Sequence, residues 1–283
     1  MRLPSLGLRF AAPAAGFGFG CAVALTFPDR DAPLWLVWAP FAIGTATAAG
    51  AVFAYGTERW RELQRLRTVG VRDVAWPVTA LVVGSQILSY STVLLPGPSH
   101  ASERNGLVGT LTILAAIPAA GAMYGVWRVA ASDVSPSRQG ETVDLLLALR
   151  RLLQQLVAAT GSLVALVTFA NGSWWLMERS LHAQYGNRPS QYVLIYGAFS
   201  SLLVALAYGP AWAALQRHGQ QLCDQLLPLR GLDDPAAVLC RIGDRRTLEQ
   251  ALGIDHGIFP DLQSGLVLLA PLAASAVSAF LPH

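Results

Sequence analysis

The residues whose types and spacing could do chemistry are few, and most of them are neutral. Ser85, Ser89 and Thr92 fall on one face of a helix, with Gln86 and Tyr90 four apart beside it. A stripe of hydroxyls and an amide inside an apolar segment can line a hydrated path or a ligand pocket. Its commoner use is hydrogen bonding between helices, worth about 0.6–2 kcal/mol. Arg245 and Arg246 make a second candidate. Asp244 reads as the cap of a short helix, which places both arginines in a first turn, where the helix dipole disfavours cations. An anion repairs that mismatch, because free N–H groups and guanidinium forks both suit phosphate. A lipid headgroup is the simplest such anion; a nucleotide-like or phosphorylated regulator is the functional alternative.

Covalent and metal chemistry find less support. All 20 basic residues are arginine, so a Schiff-base or phosphate-loop lysine is excluded. No Gly-rich phosphate loop, HExxH or GxSxG motif is present. His100 and Glu103 share one loop, and Glu178 and His182 lie four apart, but ordinary surface pairing accounts for them. His218, Cys223, Cys240 and His256 lack the close ligand pairs of a structural zinc site. No metal and no cofactor is expected, and no residue stands out as catalytic.

Small residues carry a third signal, for packing. Gly197, Ser201, Ala205 and Gly209 repeat at strict four-residue spacing, and Gly121 and Gly125 do the same. Such spacing lets helices approach closely within one chain or between subunits.

The elements that must position these groups are membrane spans. Of 283 residues, 53% are hydrophobic and 13% charged, against about a quarter charged in soluble domains. Seven stretches have the length of about 20 residues that a helix needs to cross a bilayer: 8–27, 34–55, 76–95, 106–127, 152–171, 191–212 and 262–281. With the N-terminus inside, sixteen arginines fall on the cytoplasmic side and four outside, a strong positive-inside bias. Tyr55, Tyr124 and Tyr208, each followed by glycine and then tryptophan, fit an aromatic belt at the inner interface. By these boundaries no Asp, Glu, Arg or His lies deep in a span, which argues against proton-coupled transport and voltage sensing.

Two polar stretches are expected to be helical. Residues 57–72 read as a basic interfacial helix with Glu58–Arg61 and Glu62–Arg65 pairs, on anionic lipid rather than nucleic acid. Residues 141–151 extend the fifth span inward. Residues 214–261 read as three short amphipathic helices, the first continuing the sixth span through Leu215, Leu222 and Leu226. Asp234-Pro235 starts the second, Gly243 ends it, and Gly253 follows the third. Outside, Ser173 reads as the cap of a lid helix bearing Trp174, Trp175, Met177 and Leu181.

The expected fold is therefore an all-α integral membrane protein. It has seven transmembrane helices, a cytoplasmic N-terminus, an exterior C-terminus and a small helical cytoplasmic element between helices 6 and 7. Residues 1–213 form a six-helix bundle, 214–261 the cytoplasmic loop, and 262–283 the last span with an exterior tail. Arginine without lysine points to a GC-rich bacterial genome, hence to the inner membrane. The leading functional expectation is an oligomeric channel or pore-like effector gated through the cytoplasmic loop. Others are a membrane-embedded enzyme acting on a lipid or isoprenoid, and an accessory subunit docking a soluble partner at 214–261. Membrane lipids and copies of the chain are the expected partners.

Overall fold

The computed structural model describes residues 4–27, 34–91, 100–132, 139–181, 188–228 and 235–254. Within them the chain is all-helical, with α1 at Pro4–Leu25, α2 at Trp35–Leu66, α3 at Val71–Ser91 and α4 at His100–Ala131. Next come α5 at Gln139–Leu181, α6 at Arg188–Leu226 and α7 at Pro235–Leu252. Five of these helices (α1, α2, α4, α5 and α6) are long and apolar enough to cross a membrane. Their outer surface carries large apolar side chains, among them Phe10, Phe17, Phe53, Leu114, Leu202 and Leu206, as a lipid-facing surface requires. The chain has the make-up of a multi-pass membrane protein. The expected seventh span, 262–281, lies outside the described residues.

Glycine decides how the first helices meet. A β-carbon added at Gly16 would fall inside the Ala46 carbonyl, one at Gly50 inside the Ala12 carbonyl, and one at Gly20 would lie 2.8 Å from Ile43 Cα. These partners run in opposite order along the two helices, so α1 and α2 pack antiparallel, backbone against backbone. Gly56 does the same against α4, where an added β-carbon would lie 2.6 Å from the Ala119 nitrogen. Gly125 then sits beneath Leu63 and Trp60, so α2 and α4 run parallel.

The central core joins α2, α4, α5 and α6 through Leu63, Met123, Val126, Leu153, Leu156 and Ala211. A second cluster at one end packs Phe27, Trp38, Trp174 and Met177, with the Phe27 and Trp38 rings 4.8 Å apart. Trp174 belongs to α5, which runs unbroken from Gln139 to Leu181. No separate lid helix forms at 173–181. Ser173 donates to the Ala170 carbonyl inside the helix rather than capping a new one, since burial of Trp174 and Met177 favours continuing the turn.

The other end of the bundle is ionic. Arg9 pairs with Glu58, Arg59 with Glu62, and Arg128 with Asp73. The expected Glu58–Arg61 and Glu62–Arg65 pairs are replaced because α1 brings Arg9 to Glu58 and Arg59 lies over the Tyr55 ring. Residues 57–66 are not a separate surface helix but the last turns of α2.

Below that end, α5 and α6 continue together. At about 1.5 Å per residue the 43 residues of α5 span about 65 Å, twice a bilayer core of about 30 Å. α6 ends at Leu226, before Pro228, with Leu215, Leu222 and Leu226 on its packed side as expected. The rest of the polar stretch departs from expectation: α7 is one helix through Gly243, not two. A single long helix lets Leu248 and Leu252 reach the α5–α6 pair and cluster with Leu146, Leu222 and Cys223. Its end follows the glycine rule. Gly253 has φ of 65°, Ile254 N–H donates to the Glu249 carbonyl, and Ile254 folds back onto the same cluster. The missing side chain leaves room for the Arg150 guanidinium, which donates to the Leu252 carbonyl.

Candidate functional site: an apolar cavity among four helices

Helices α3, α4, α5 and α6 do not close completely on one another. They frame an open-sided cavity of ≈ 130 Å³ whose wall is mostly aliphatic, including Leu81, Ile113, Met123, Leu163 and Leu203. Small residues open it: Ala116, Ala120 and Ala207 stand where larger side chains would fill the space. α3 touches α6 only sparsely, which leaves the seam between them loosely packed. Val83 and Ile87 on α3, and Leu202 and Leu206 on α6, are exposed to the outside of the bundle.

Five hydroxyl side chains reach the wall: Ser85, Thr112, Thr160, Tyr196 and Ser200. Three of them are spent on their own helices. Ser85 Oγ donates to the Val82 carbonyl at 2.8 Å, Thr112 Oγ1 to Val108 at 2.8 Å, and Thr160 Oγ1 to Leu156 at 2.8 Å. That back-bonding costs the helices little and leaves the wall effectively apolar along most of its length. The remaining pair belongs to a cross-helix network. Asn105 Nδ2 on α4 donates to Asn171 Oδ1 on α5 at 2.5 Å. The Tyr196 hydroxyl on α6 stands beside Asn171 and beside Ser200, one turn further along α6. The cavity therefore has a long apolar wall and one polar corner. Among the described residues no ionisable group other than the Tyr196 phenol lines it.

Of the polar stripe expected on the third span, Ser85 lines this cavity, while Gln86 is half-buried beside it and not part of the wall. The side chains of Ser89, Tyr90 and Thr92 lie outside the described residues. Thr112, Thr160, Tyr196 and Ser200 were missed by sequence reasoning. Single hydroxyls on separate spans give no periodic signal, and only the packing brings them together.

The packing residues divide. Gly121 and Gly125 face Trp60 and Leu63 of α2. On α6, Gly197 is buried, Ser201 half-buried and Ala205 exposed, and a β-carbon at Gly209 would meet nothing within 4 Å. The close backbone approaches at Gly16, Gly20 and Gly50 went unremarked in the sequence. Gly16 and Gly20 at four-residue spacing, facing Ala46 and Gly50 at the same spacing, are the signal that finds them.

Arg245 and Arg246 lie inside α7, not in a first turn, because no cap forms at Asp244. Arg245 Nη1 lies 2.8 Å from Asp224 Oδ1 on α6, and its Nε donates to Glu249 Oε1 at 2.8 Å. The Glu249 bond first, and Asp224 with it, hold the Arg245 guanidinium above its ordinary pKa. It thus joins α7 to α6. Among the described residues no three His, Cys, Asp or Glu side chains converge. His256, and the side chains of His100, Glu103, Glu178 and His182, lie outside them.

Comparison with protein-family models, with curated proteins and with solved structures gives no match. Fold and site together define an all-helical, multi-pass membrane protein with an internal apolar cavity.

Proposed function

We propose that this protein binds an apolar molecule drawn from the bilayer, held among α3, α4, α5 and α6. The cavity carries the reading: it is apolar, bounded by small residues, and loosely packed where α3 meets α6. This favours the lipid or isoprenoid alternative over a channel, because a conducting path needs polar groups free to replace water. Here three of the five wall hydroxyls are committed to backbone carbonyls. Whether binding is followed by chemistry is a separate matter, and no catalytic group is proposed.

The setting of this reading is a seven-span bacterial inner-membrane protein with its N-terminus in the cytoplasm. Sixteen arginines against four support that orientation, as do the ion pairs gathered at one end of the bundle. The α5–α6 extension and α7 then project into the cytoplasm. A pore built from several copies is the second reading. The half-buried Ser201, whose Oγ is buried without a partner, beside exposed Ala205 on α6, favours a helix contact between copies.

The test is extraction and mass spectrometry of molecules retained by the purified protein, beside a cavity-filled variant, Ala116→Phe. An apolar species enriched over bulk lipid in the wild type and lost in a folded variant supports the proposal. Equal retention by both, or no enrichment, sinks it.

A further inference from the structure

The polar corner of the cavity says more about the occupant than its apolar wall does. We infer that the occupant is a neutral, ring-headed lipid whose ring carries a carbonyl or hydroxyl oxygen, of the quinone or phenol type, seated with that oxygen at Tyr196 and Ser200. The inference rests on the cavity being a binding site and names what it takes.

Three arguments converge. Charge comes first: among the described residues Arg, Asp, Glu and His are all missing from the wall, so an anionic or cationic headgroup there has no counter-ion. That cost exceeds anything the apolar wall returns. Phosphate-headed lipids and fatty-acid carboxylates are thereby excluded.

Size comes second. A volume of ≈ 130 Å³ is close to the roughly 150 Å³ of an engineered apolar cavity that admits benzene. One six-membered ring fills it. A long tail leaves through the loosely packed seam between α3 and α6 into the surrounding bilayer.

Hydrogen-bond capacity comes third. A tyrosine hydroxyl has one proton to donate and two lone pairs. The Asn171 amide and the Ser200 hydroxyl lie beside it and can both donate to its oxygen, which leaves the phenol proton for an acceptor in the cavity. Asn105 donates to the Asn171 oxygen, which leaves the Asn171 NH₂ group as the donor on the other side of that amide. The corner is therefore a held, neutral hydrogen-bonding group at the end of an apolar slot. A ring oxygen satisfies it; a plain acyl chain leaves it bare.

The experiment measures equilibrium binding to the protein in lipid nanodiscs of three probes with the same tail: a decyl-substituted benzoquinone, decylbenzene and decanoate. The quinone is expected to bind most tightly and decanoate least. Tyr196→Phe should weaken the quinone about fivefold, the loss of one hydrogen bond, and leave decylbenzene unchanged. Ser200→Ala provides the same readout if Tyr196→Phe fails to fold. Ala116→Phe should abolish both quinone and decylbenzene binding. If quinone and decylbenzene bind equally, and both polar variants leave them equal, the headgroup inference fails while the cavity stands. If neither probe binds, or Ala116→Phe leaves binding intact, the cavity reading fails and this inference with it.

Discussion

Replacing Gly56 by alanine puts the helix packing to a quantitative test. An added β-carbon would lie 2.6 Å from the Ala119 nitrogen and 3.1 Å from Ala119 Cα and the Pro118 carbonyl carbon, all of them backbone. The first distance is about 0.8 Å inside the 3.4 Å where ordinary contact begins, and backbone cannot rotate away. Overpacking of this kind costs about 1–3 kcal/mol. Alanine also raises helix propensity by about 1 kcal/mol, which masks part of the cost. Gly209→Ala isolates the packing term, because its β-carbon would meet nothing within 4 Å and carries the propensity gain alone. The gap between the two variants should therefore be about 1–3 kcal/mol, with Gly56→Ala the less stable. Unfolding in mixed detergent micelles, followed by tryptophan fluorescence, measures both. Equal midpoints would show that α2 and α4 do not meet at this backbone contact. A destabilised Gly209→Ala would place the important small-residue contact on α6, between copies of the chain.

Two further expectations concern α7 and orientation. In a background with Cys21 and Cys240 replaced by alanine, buried Cys223 reports whether α7 is seated. Arg245→Gln, which removes the partly exposed Asp224 pair between α7 and α6, worth about 0–1 kcal/mol, should speed thiol labelling up to about fivefold. Leu252→Ala, which removes a buried anchor worth about 2–4 kcal/mol, should speed it more than tenfold. Identical labelling in all three proteins would mean that α7 is not held there. Reporter fusions at Gln64, Gln139 and Gln220 should report cytoplasm, and at Ser99 and Gln184 the exterior. An exterior signal at Gln220 overturns the orientation.

What the sequence made legible follows from the range of the forces involved. A hydrophobic run long enough to span a bilayer is a local property, so the first six helices stood where the apolar stretches put them. Gly253 ended α7 as its position suggested, because a left-handed residue after a helix is also a local demand. Breaks inside helices were another matter. Ser173 and Asp244 are good caps in isolation, yet both sit mid-helix, since buried Trp174 and Met177, and Leu248 and Leu252, pack only if the helix continues. Tertiary burial outweighs a cap worth about 1 kcal/mol. The arginine arrangement at Arg245 changed for the same reason. Once α7 is continuous, the residue faces Asp224 and Glu249 rather than a free helix end.

The site was hidden for a different reason, and that reason bears on how it works. A periodic polar stripe announces itself because it serves one helix, and the stripe on α3 contributes only Ser85 to the cavity wall among its described side chains. The polar corner instead takes one or two residues from each of three helices: Asn105 from α4, Asn171 from α5, Tyr196 and Ser200 from α6. None has a partner of the same kind within a turn on its own helix except the last two. The Asn105–Asn171 bond forms only when α4 and α5 are in register, and Tyr196 meets Asn171 only when α6 is aligned with them, so the groups that would orient a ring oxygen also depend on that register. Binding and helix alignment are then coupled through Asn171. An occupant bonded to Tyr196 would stabilise the aligned bundle, and through the unbroken α5 and α6 the platform on which α7 rests. That linkage would give the α7 end of the molecule a physical means of reporting what the cavity holds.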